Sequence, residues 1–545
     1  MIREKIINLI KKSIRELQKE KKLPEFKITK VFVEYPRENY GDYSTNIAME
    51  IAKIIKRNPI AVAENLKSQI SSFKTDFFDK IEIAKPGFIN FYLTNSFLQK
   101  QVPKILKEKE NFGNLNFGKN KKVQVEFISA NPTGPLTIGN ARGGPFGDVL
   151  ANIFKKTGFK VERAYYINDC GKQIEILGHS VLKDKKAQYK GKYIDDLHKI
   201  IKEKKPYKAG ETAAKIIIKM IKKTIKKMGI DFDEWFSESS LHKSSQIDKV
   251  IKFLNKKKLI YKKEGALWFK SKKFGDKRDR VLIKKDGFKT YLAGDIAYHR
   301  YKFEKKKFDK VVNIWGADHA DDVKSLQSGV EALGHKNKLD IILLQFVTLI
   351  EKKEKLKMSK RLGIYLTMDK LLKEIGADIV RFFFLQKSAS SHLNFDLSLA
   401  KEQSEKNPVY YIQYANARIH SIFAKSKINY QKPKIQIKKP TVHTQPTVHT
   451  QQKLKLLSHQ SELNLIKQLI RLPEIIEDIS KDYQVQRICH YAMNLATAFH
   501  RFYRDCKVLT KDKNLSKARL SLVLASKIVL KNTLDLMGIS APQKM

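Results

Sequence analysis

Hydrophobic positions in the first 110 residues follow first a helical and then a strand pattern. Apolar residues recur at helical spacing over 1–20, and a short strand over 31–35 leads through a glycine turn into another helix. A strand pair, IEIA and INFYL, flanks the turn Pro86-Gly87. This pattern predicts a small α+β domain over 1–110.

Between 111 and 390, buried-type strands alternate with helices, which predicts a parallel, doubly wound sheet. A stretch of lysine-rich helices and a hairpin at about 172–280 interrupts the rhythm and is interpreted as an insertion between two halves of a Rossmann-type domain. The predicted strands are VQVEFIS (123–129), VERAYYIN (161–168), VVNIWG (311–316) and IILLQFVTLI (341–350).

Residues 391–545 have few glycines and show long helical patterns, so an all-α bundle is predicted there. Its helices are expected over 398–426, 463–481, 484–506 and 515–537. The hexapeptide PTVHTQ occurs twice, at 440–445 and 446–451. Two copies are too few for a solenoid, so the repeat is interpreted as a duplicated surface loop.

Charge adds a hypothesis about partners. The 545 residues include 108 Lys and Arg against 57 Asp and Glu, a net charge of +51 with His neutral. Such an excess favours a polyanionic partner, most simply nucleic acid. A genome that favours lysine codons is the alternative explanation.

Cysteine usage and hydropathy exclude several protein classes. Three cysteines are too few for a disulfide framework, and no Cys/His spacing is typical of zinc. The N-terminus lacks the apolar core of a signal peptide, and no stretch approaches 18 uninterrupted apolar residues. The chain is therefore predicted to be cytoplasmic, neither a secreted scaffold nor a membrane protein.

The first candidate site lies in VEFISANPTGPLTIGNARGGPFGD (125–148). A strand runs into a Pro/Gly turn and a helix that starts near Asn140, an arrangement whose free backbone N–H groups suit phosphate. A Walker A loop is excluded, because Asn140 stands where that motif requires Lys after Gly139, and GxGxxG is absent from this turn. A nucleotide site of another kind is predicted.

The second candidate site is KLKMSKRLG (355–363), a loop predicted after a strand and before a helix. Lys357 and Lys360 flank a serine, and lysines suit a pyrophosphate that gains charge as it leaves. A KxxK pair alone means little in so basic a chain. Its position more than 200 residues after the first site makes the pattern specific.

These two segments resemble the signatures of class I aminoacyl-tRNA synthetases, and further blocks narrow the resemblance to the arginyl-tRNA synthetase family. The blocks are YYINDCGKQI (165–174), TYLAGDIAYH (290–299), WGADHADDV (315–323), 381–419 and the C-terminal LMGISAPQKM. Together they extend over nearly the whole chain. The resemblance implies an N-terminal domain at the tRNA elbow, a Rossmann-type catalytic domain, an anticodon-binding bundle and a monomer.

The resemblance also implies an arginine site. A guanidinium group is best held by carboxylates in fork geometry, and the matching positions are Glu126 and Asp295. Asp295 could instead be a helix-start acid, whereas Glu126 in a buried strand is costly unless paired. The resemblance further assigns Tyr291, Asn131 and His319 to this pocket.

Neighbouring residues are interpreted as structural. Trp315 and Tyr166 lie on strands and are predicted to be core residues. Asp318, Asp321 and Asp322 are interpreted as acids at a helix N-terminus and not as metal ligands, so no protein-bound metal or organic cofactor is expected.

The implied reaction joins L-arginine to tRNA(Arg) at the expense of ATP, through arginyl-adenylate, releasing AMP and diphosphate. Adenylate formation needs alignment and charge stabilisation, with no enzymic nucleophile. Mg²⁺ is expected to arrive with the nucleotide, and activation in this family generally awaits tRNA. The residues assigned to ATP are Pro135, Thr137, Gly139, Asn140, Lys357, Met358, Ser359 and Lys360.

One departure concerns the first signature, which in the family reads His-Val/Ile-Gly-His. Here it reads Thr137-Ile138-Gly139-Asn140, and neither Thr nor Asn can carry a positive charge. A working variant is the preferred interpretation. The alternatives are a catalytically weakened paralogue that acts as a tRNA-binding protein, and a basic nucleic-acid binder with a fortuitous nucleotide site.

Aromatic and basic residues are candidates for tRNA contacts, because they stack on unpaired bases. Tyr411 and Tyr414, three positions apart on a helix, could equally form a core stripe, and Phe88 on its strand could be a core residue. By resemblance, the D-loop faces Phe88 and Asn90, and the anticodon loop faces Tyr411, Tyr414, Arg418 and Met545.

Overall fold

A computed structural model describes residues 1–27, 30–36, 40–352, 354–355, 366–426 and 453–545. In the N-terminal part, helices cover one face of a three-stranded antiparallel sheet of order β1-β3-β2. Ile6, Ile10 and Ile14, four residues apart on α1, are buried as the helical pattern predicted. The elements are α1 (Ile2–Lys19), β1 (Tyr43–Thr45), α2 (Ile47–Ile55), α3 (Pro59–Ser72), β2 (Phe78–Ala84), β3 (Phe88–Leu93), α4 (Asn95–Gln99) and α5 (Gln101–Glu108).

The predicted strand over 31–35 is reduced to one isolated bridge, between Glu34 and Ser44. Strand β1 forms later, at Tyr43–Thr45, because only this stretch pairs continuously with β3. The predicted pair around Pro86-Gly87 is confirmed as β2 and β3.

The centre of the molecule is a five-stranded parallel sheet of order β11-β10-β4-β5-β6. Its strands are β4 (Lys122–Glu126), β5 (Lys160–Ile167), β6 (Glu234–Ser237), β10 (Lys310–Gly316) and β11 (Leu339–Leu344). The chain passes outward from β4 through β5 to β6 and then returns to the opposite side of β4 with β10. In such sheets the crevice at the carboxyl ends, where the order reverses, is the usual ligand site.

Helices on this sheet include α7 (Gly143–Lys156), which packs closely on β4. A Cβ on Gly147 would lie 2.2 Å from the Phe127 ring, so only glycine permits this approach. The other helices in order are α6 (Ile138–Ala141), α8 (Lys172–Leu182), α9 (Lys192–Ile200), α10 (Pro206–Lys227), α11 (Ser239–Lys243), α12 (Gln246–Lys256), α13 (Tyr291–Arg300) and α14 (Ala320–Ala332).

The segment 172–280 returns to the central sheet once, through β6, which pairs in parallel with β5. The rest of the segment contains the helices named above and the first part of a small antiparallel sheet of order β7-β8-β9. This sheet comprises β7 (Ile260–Lys263), β8 (Ala266–Phe269) and β9 (Arg280–Ile283).

Two predicted strands are shorter than expected. The strand over 123–129 ends at Glu126, because Ile128 and Ser129 adopt positive φ angles of 66° and 39° and leave the sheet. The strand over 341–350 is wrong as one element. It divides after Leu344, and its second part pairs with β14 in a separate sheet of order β13-β12-β14. The elements here are β12 (Val347–Glu351), β13 (Glu354–Lys355), α15 (Met368–Ile375), α16 (Ala377–Leu385), β14 (Leu393–Asp396) and α17 (Leu397–Lys401).

The C-terminal part is a helical bundle, as predicted. The helix expected over 398–426 is interrupted before Pro408, and that expected over 463–481 is interrupted before Pro473, since proline removes an N–H donor and is tolerated in the first helical turn. The bundle contains α18 (Pro408–Ser426), α19 (Gln460–Leu469), α20 (Leu472–Asp482), α21 (Gln486–Asp505) and α22 (Lys513–Met537).

Among the described residues, no helix combines the length and the apolar character needed to cross a bilayer. The repeated PTVHTQ segment, 440–451, lies outside the described residues.

Candidate active site

A pocket of about 540 Å³ opens at the carboxyl edge of the central sheet, where β4 and β10 lie side by side. It is lined by residues from the first signature segment and from the start of α13. Eight of the residues predicted for arginine or ATP line it: Glu126, Asn131, Thr137, Gly139, Asn140, Tyr291, Asp295 and His319. Pro135 is outside this lining.

Glu126 is the last residue of β4 and is only 6% exposed. Lys302, fully buried, donates from Nζ to Glu126 Oε2 at 2.6 Å. The pairing expected of a buried glutamate is therefore present. Burial lowers the pKa of Lys302, and the Glu126 carboxylate opposes that shift.

Lys302 lies on a π-helical turn, Tyr301–Lys305, that continues α13. It also donates to Asn313 Oδ1 at 3.3 Å, and the Asn313 amide faces His299 Nε2 at 3.0 Å. His299 Nδ1 donates to the Asp295 carbonyl oxygen at 2.8 Å, so Nε2 accepts. Burial lowers the pKa of His299 well below its ordinary range, which keeps the ring neutral.

Asp295, one turn before His299 on α13, forms no ion pair with a described residue, although the Lys302 charge lowers its pKa somewhat from a greater distance. Burial, then the nearby Glu238 and Glu126 carboxylates, raise the pKa of Asp295 to about 8. A buried carboxyl group that is costly to ionise gains most from a cationic ligand.

The balance of charge in the pocket is the reverse of that in the whole protein. Four acids line it, namely Glu126, Asp295, Asp318 and Asp322, and the described lining contains no Lys or Arg. In a chain with a net charge of +51, this pocket is built for a cation.

At the other end of the pocket, Thr137 directly precedes α6, and its hydroxyl donates to Asn140 Oδ1 at 2.7 Å. Thr137 forms an isolated bridge with Thr367, and Met368 N donates to the Leu136 carbonyl at 2.9 Å. Lys357, Met358, Ser359 and Lys360 lie outside the described residues. Thr367 and Met368, which follow these four residues in the chain, are therefore hydrogen-bonded to the first signature segment.

The turn between β4 and the first signature is held by specific hydrogen bonds. Ile128 has a φ of 66°, which is unusual for a β-branched residue and typical of strained functional sites. Ser129 Oγ accepts from Tyr166 N at 3.0 Å and donates to Glu126 Oε1 at 3.4 Å. Tyr165 donates to the Ala130 carbonyl at 2.9 Å.

Two residues predicted as core also face the pocket. Tyr166 and Trp315 are partly buried, pack against the core and line the cavity, because each lies near the carboxyl end of its strand. Asp321 and Asp322 occupy the first turn of α14, as predicted for helix-start acids. Asp318 and Asp322 flank the His319 ring, each at 3.7 Å.

Several residues at this end of the sheet escaped prediction. Lys302 is one of 108 cationic residues, and nothing in its local sequence marks it as buried. Glu238 follows β6 and is 7% exposed; burial and the Asp169 carboxylate raise its pKa to about 7. Only the pairing of β6 with β5 reveals its proximity to the pocket.

On the bundle, Tyr414 and Arg418 lie on α18 and contact each other, with Arg418 also 5.0 Å from the Tyr503 ring. Tyr414 is 37% exposed. Tyr411 is partly buried against the core, its ring 4.7 Å from His500, which favours the core alternative for this residue. Met545 is exposed.

In the N-terminal unit, Phe88 is partly buried at the start of β3. Asn90 is buried, and its Oδ1 accepts from Ser44 Oγ at 2.7 Å. Asn90 nevertheless lines a groove with Tyr40, Lys67 and Tyr92.

Comparisons with known proteins agree across the chain. Three family models match: "Arginyl tRNA synthetase N terminal domain" over 4–93, "tRNA synthetases class I (R), catalytic domain" over 101–227 and 208–381, and "DALR anticodon binding domain" over 412–545. The chain is 42% identical to an arginine–tRNA ligase of Caldanaerobacter subterraneus subsp. tengcongensis, covering 100% of this chain and 99% of the relative. It is 41% identical to an arginine–tRNA ligase of Carboxydothermus hydrogenoformans, covering 94% of each.

Solved structures share the fold. The Thermus thermophilus arginyl-tRNA synthetase superposes with a TM-score of 0.79 at 19% identity, over 100% of both chains. The Plasmodium falciparum arginyl-tRNA synthetase gives 0.77 at 20% identity, over 100% of this chain and 99% of that one.

Proposed function

The chain belongs to the arginyl-tRNA synthetase family of class I enzymes, and we propose that the pocket at the carboxyl edge of its central sheet is where arginine and ATP react. It is an arginine–tRNA ligase: ATP, L-arginine and tRNA(Arg) give L-arginyl-tRNA(Arg), AMP and diphosphate through arginyl-adenylate. The alternative of a non-catalytic paralogue is not favoured by this full-length similarity.

The observation that carries the assignment of the pocket is its excess of acid. Its four acidic residues surround a space of about 540 Å³ without a described lysine or arginine in the lining. A free amino acid with a guanidinium side chain supplies the missing positive charge and five hydrogen-bond donors.

Within this pocket, we assign Glu126 and Asp295 to the guanidinium. Lys302 pairs with Glu126 and orients its carboxylate before the substrate arrives, and Asp295 becomes ionised when the cation binds. Tyr291, 64% exposed at the rim, covers the side chain. Asn131 and His319 are assigned to the amino and carboxyl end.

ATP is assigned to the end of the pocket formed by Thr137, Gly139 and Asn140, with Pro135 close in sequence. A Cβ on Gly139 would meet nothing within 4 Å, so the space beside this turn is open. The hydroxyl and amide can donate to phosphate or ribose oxygens. Positive charge for the leaving diphosphate is assigned to Lys357 and Lys360, with Met358 and Ser359 in the same loop and Mg²⁺ carried by the nucleotide.

For adenylate formation, the substrate carboxylate attacks the α-phosphate and diphosphate leaves, so the chain contributes alignment and charge, and no nucleophile. The terminal ribose hydroxyl of the tRNA then takes the arginyl group, and AMP leaves. In this proposal the Glu126–Lys302 pair and the helix α13 hold the guanidinium at a fixed distance from the phosphate end.

The tRNA is assigned to two surfaces. The anticodon loop faces Tyr414, Arg418 and Met545 on the bundle, with Tyr411 behind them, and the D-loop faces Phe88 and Asn90. Replacing Arg418 by Ala should raise KM for tRNA(Arg), whereas Lys531→Ala, which removes one charge elsewhere on the bundle, should leave it unchanged. An equal effect of both would indicate diffuse electrostatic attraction.

We further propose that the domains span 1–110, 111–390 and 391–545, and that the enzyme is a cytoplasmic monomer. Light scattering during gel filtration of the full chain checks the oligomeric state, and a mass of two chains would contradict it.

The decisive experiment is charging of purified tRNA with labelled arginine, with ATP and Mg²⁺, beside Lys360→Ala and a lysine competitor. Arginine-specific charging that collapses in the variant is expected. Arginine-dependent ATP–diphosphate exchange with and without tRNA then tests whether activation awaits tRNA. Charging that persists in Lys360→Ala would contradict the role given to the lysine loop.

A further inference from the structure

Three side chains with metal-binding chemistry meet beside the arginine pocket. Cys170 follows β5, Glu238 follows β6, and His242 lies on α11. Ile167 and Ser237 at the ends of the two strands are paired in parallel, which brings the residues beyond them together. One ligand atom each from Cys170, Glu238 and His242 lies within 4.8 Å of the other two.

The hydrogen bonding of Glu238 differs from that of its neighbour Asp169. Asp169 accepts from Ser239 N at 2.9 Å and from Ser237 Oγ at 2.5 Å. Glu238 is only 7% exposed. The Tyr166 hydroxyl interacts with its carboxyl group, but its Oε2 is a buried oxygen without a hydrogen-bond partner among the described residues. A buried carboxylate in this condition is costly unless a cation or a donor satisfies it.

The charged group that affects Glu238 most is another acid, Asp169, and not a cation. The Asp169 carboxylate raises the pKa of Glu238 and of Cys170, and the Glu238 carboxylate raises the pKa of Asp295. Burial and these two carboxylates raise the pKa of the Cys170 thiol to about 12. The cluster thus combines a carboxylate with one unpartnered oxygen, a protonated thiol and an imidazole on which Lys289 acts as well as Asp248 and Asp169.

We propose that Cys170, Glu238 and His242 bind one divalent metal ion of the Zn²⁺ class, with a water molecule as the fourth ligand. Thiolate and imidazole ligands favour Zn²⁺ and disfavour Mg²⁺ and Ca²⁺, which prefer oxygen ligands only. Binding replaces the Cys170 S–H bond by a metal–sulfur bond and releases one proton to solvent. His242 is exposed, so rotation of its ring can shorten the separations to those of a tetrahedral site.

The three ligands come from three elements and have no recognisable spacing, which is why the sequence predicted no metal. This site is separate from the Mg²⁺ that accompanies ATP. Its ligands are not part of the described lining of the arginine pocket.

The test uses the full chain without substrates, stripped of metal with a chelator and titrated with Co²⁺ and then Zn²⁺. Tetrahedral Co²⁺ with one thiolate should give visible d–d bands and a sulfur-to-cobalt charge-transfer band, and Zn²⁺ should displace it at about one ion per chain. Cys170→Ser should abolish the charge-transfer band, and His242→Ala should weaken Co²⁺ binding.

Cys506→Ser is the matched control, because this thiol is buried in the bundle; it should keep both the band and the stoichiometry. Melting temperatures of all variants check that they fold. A charge-transfer band that survives in Cys170→Ser, or Co²⁺ uptake without such a band in a folded wild-type chain, would overturn the site.

Discussion

The arginine pocket and the junction between α1 and α20 both bury carboxylates, but they balance them differently. At the junction, Glu474 is 1% exposed and accepts from Arg3 N at 2.9 Å and from the Tyr35 hydroxyl at 2.5 Å. The Arg3 guanidinium binds Asp478 through two nitrogens, and the Arg471 guanidinium lies 4.1 Å from the Tyr35 ring centre. Each acid at the junction has a partner within the chain.

In the pocket, Glu126 forms an ion pair with Lys302. Asp295 and Glu238 form no ion pair with a described residue, although Lys302 acts on Asp295 from a greater distance, and burial raises the pKa of both. The difference separates two uses of buried charge. A matched cluster stabilises the fold and needs nothing further, whereas an unmatched one is less costly when a ligand brings the missing charge.

The largest effect expected from this contrast is that of Asp295→Asn. The variant removes a guanidinium ligand, so kcat/KM for arginine in tRNA charging should fall roughly 1,000-fold. It removes no ion pair of the free protein, so the unfolding transition in calorimetry should not move to lower temperature. If this variant kept the wild-type kcat/KM, Asp295 would not be a residue that binds the arginine side chain.

The matching change at the junction is Glu474→Gln, and its effects should be the reverse. The variant removes the acid of the buried Arg3–Glu474 ion pair. The free energy of unfolding, measured by urea denaturation of the full chain, should therefore fall by roughly 3 kcal/mol. KM for arginine should stay at the wild-type value. A rise in this KM would show that the junction and the pocket are coupled, and the contrast would fail.

The two acids of the pocket could be predicted from the sequence. Glu126 was expected to need a partner because it lies in a buried strand, and Asp295 was assigned through the family resemblance. The central strands were also predicted to within a few residues, because apolar runs alternate with helices there. Strand β6 was missed, since EWFS is short and lies in a lysine-rich segment without an apolar run.

The partners of these acids could not be predicted. Lys302 faces Glu126 from a π-helical turn that follows α13, and Arg3 reaches Glu474 across most of the chain. Long-range pairs of this kind depend on packing between elements, and a single sequence contains no local signal for them. The break of the predicted strand after Leu344 has the same origin, because β12 finds its partner in β14.

The third expected effect is a dependence of arginine affinity on pH. Asp295 must lose its proton to bind the guanidinium, and its pKa is raised to about 8. Affinity should therefore weaken as the pH falls below 8, by up to roughly tenfold per unit. Equilibrium dialysis of labelled arginine with tRNA present measures it, and Asp295→Asn should flatten the profile. The charged and titratable groups around Asp295 are Glu126, Glu238, His299, Lys302 and Asp322.

A flat wild-type profile between about pH 6 and 9 would mean that Asp295 is ionised before arginine binds. The acids of the pocket would then be ionised in the free protein, like those of the junction. The contrast between balanced and unbalanced buried acids would fail at Asp295.

The smallest expected effect concerns the end of the pocket assigned to ATP, where the described residues carry no cation. Asn140 is exposed, so Asn140→His can add an imidazole without displacing packed atoms, whereas Thr137 is only 9% exposed and Thr137→His should destabilise the turn. The added ring should increase the rate of arginine-dependent ATP–diphosphate exchange about three- to fivefold near pH 6, where it is protonated, and less at pH 8. A decrease at both pH values would show instead that the Thr137–Asn140 hydrogen bond acts as a unit, and that the chain balances its phosphates with the lysine loop alone.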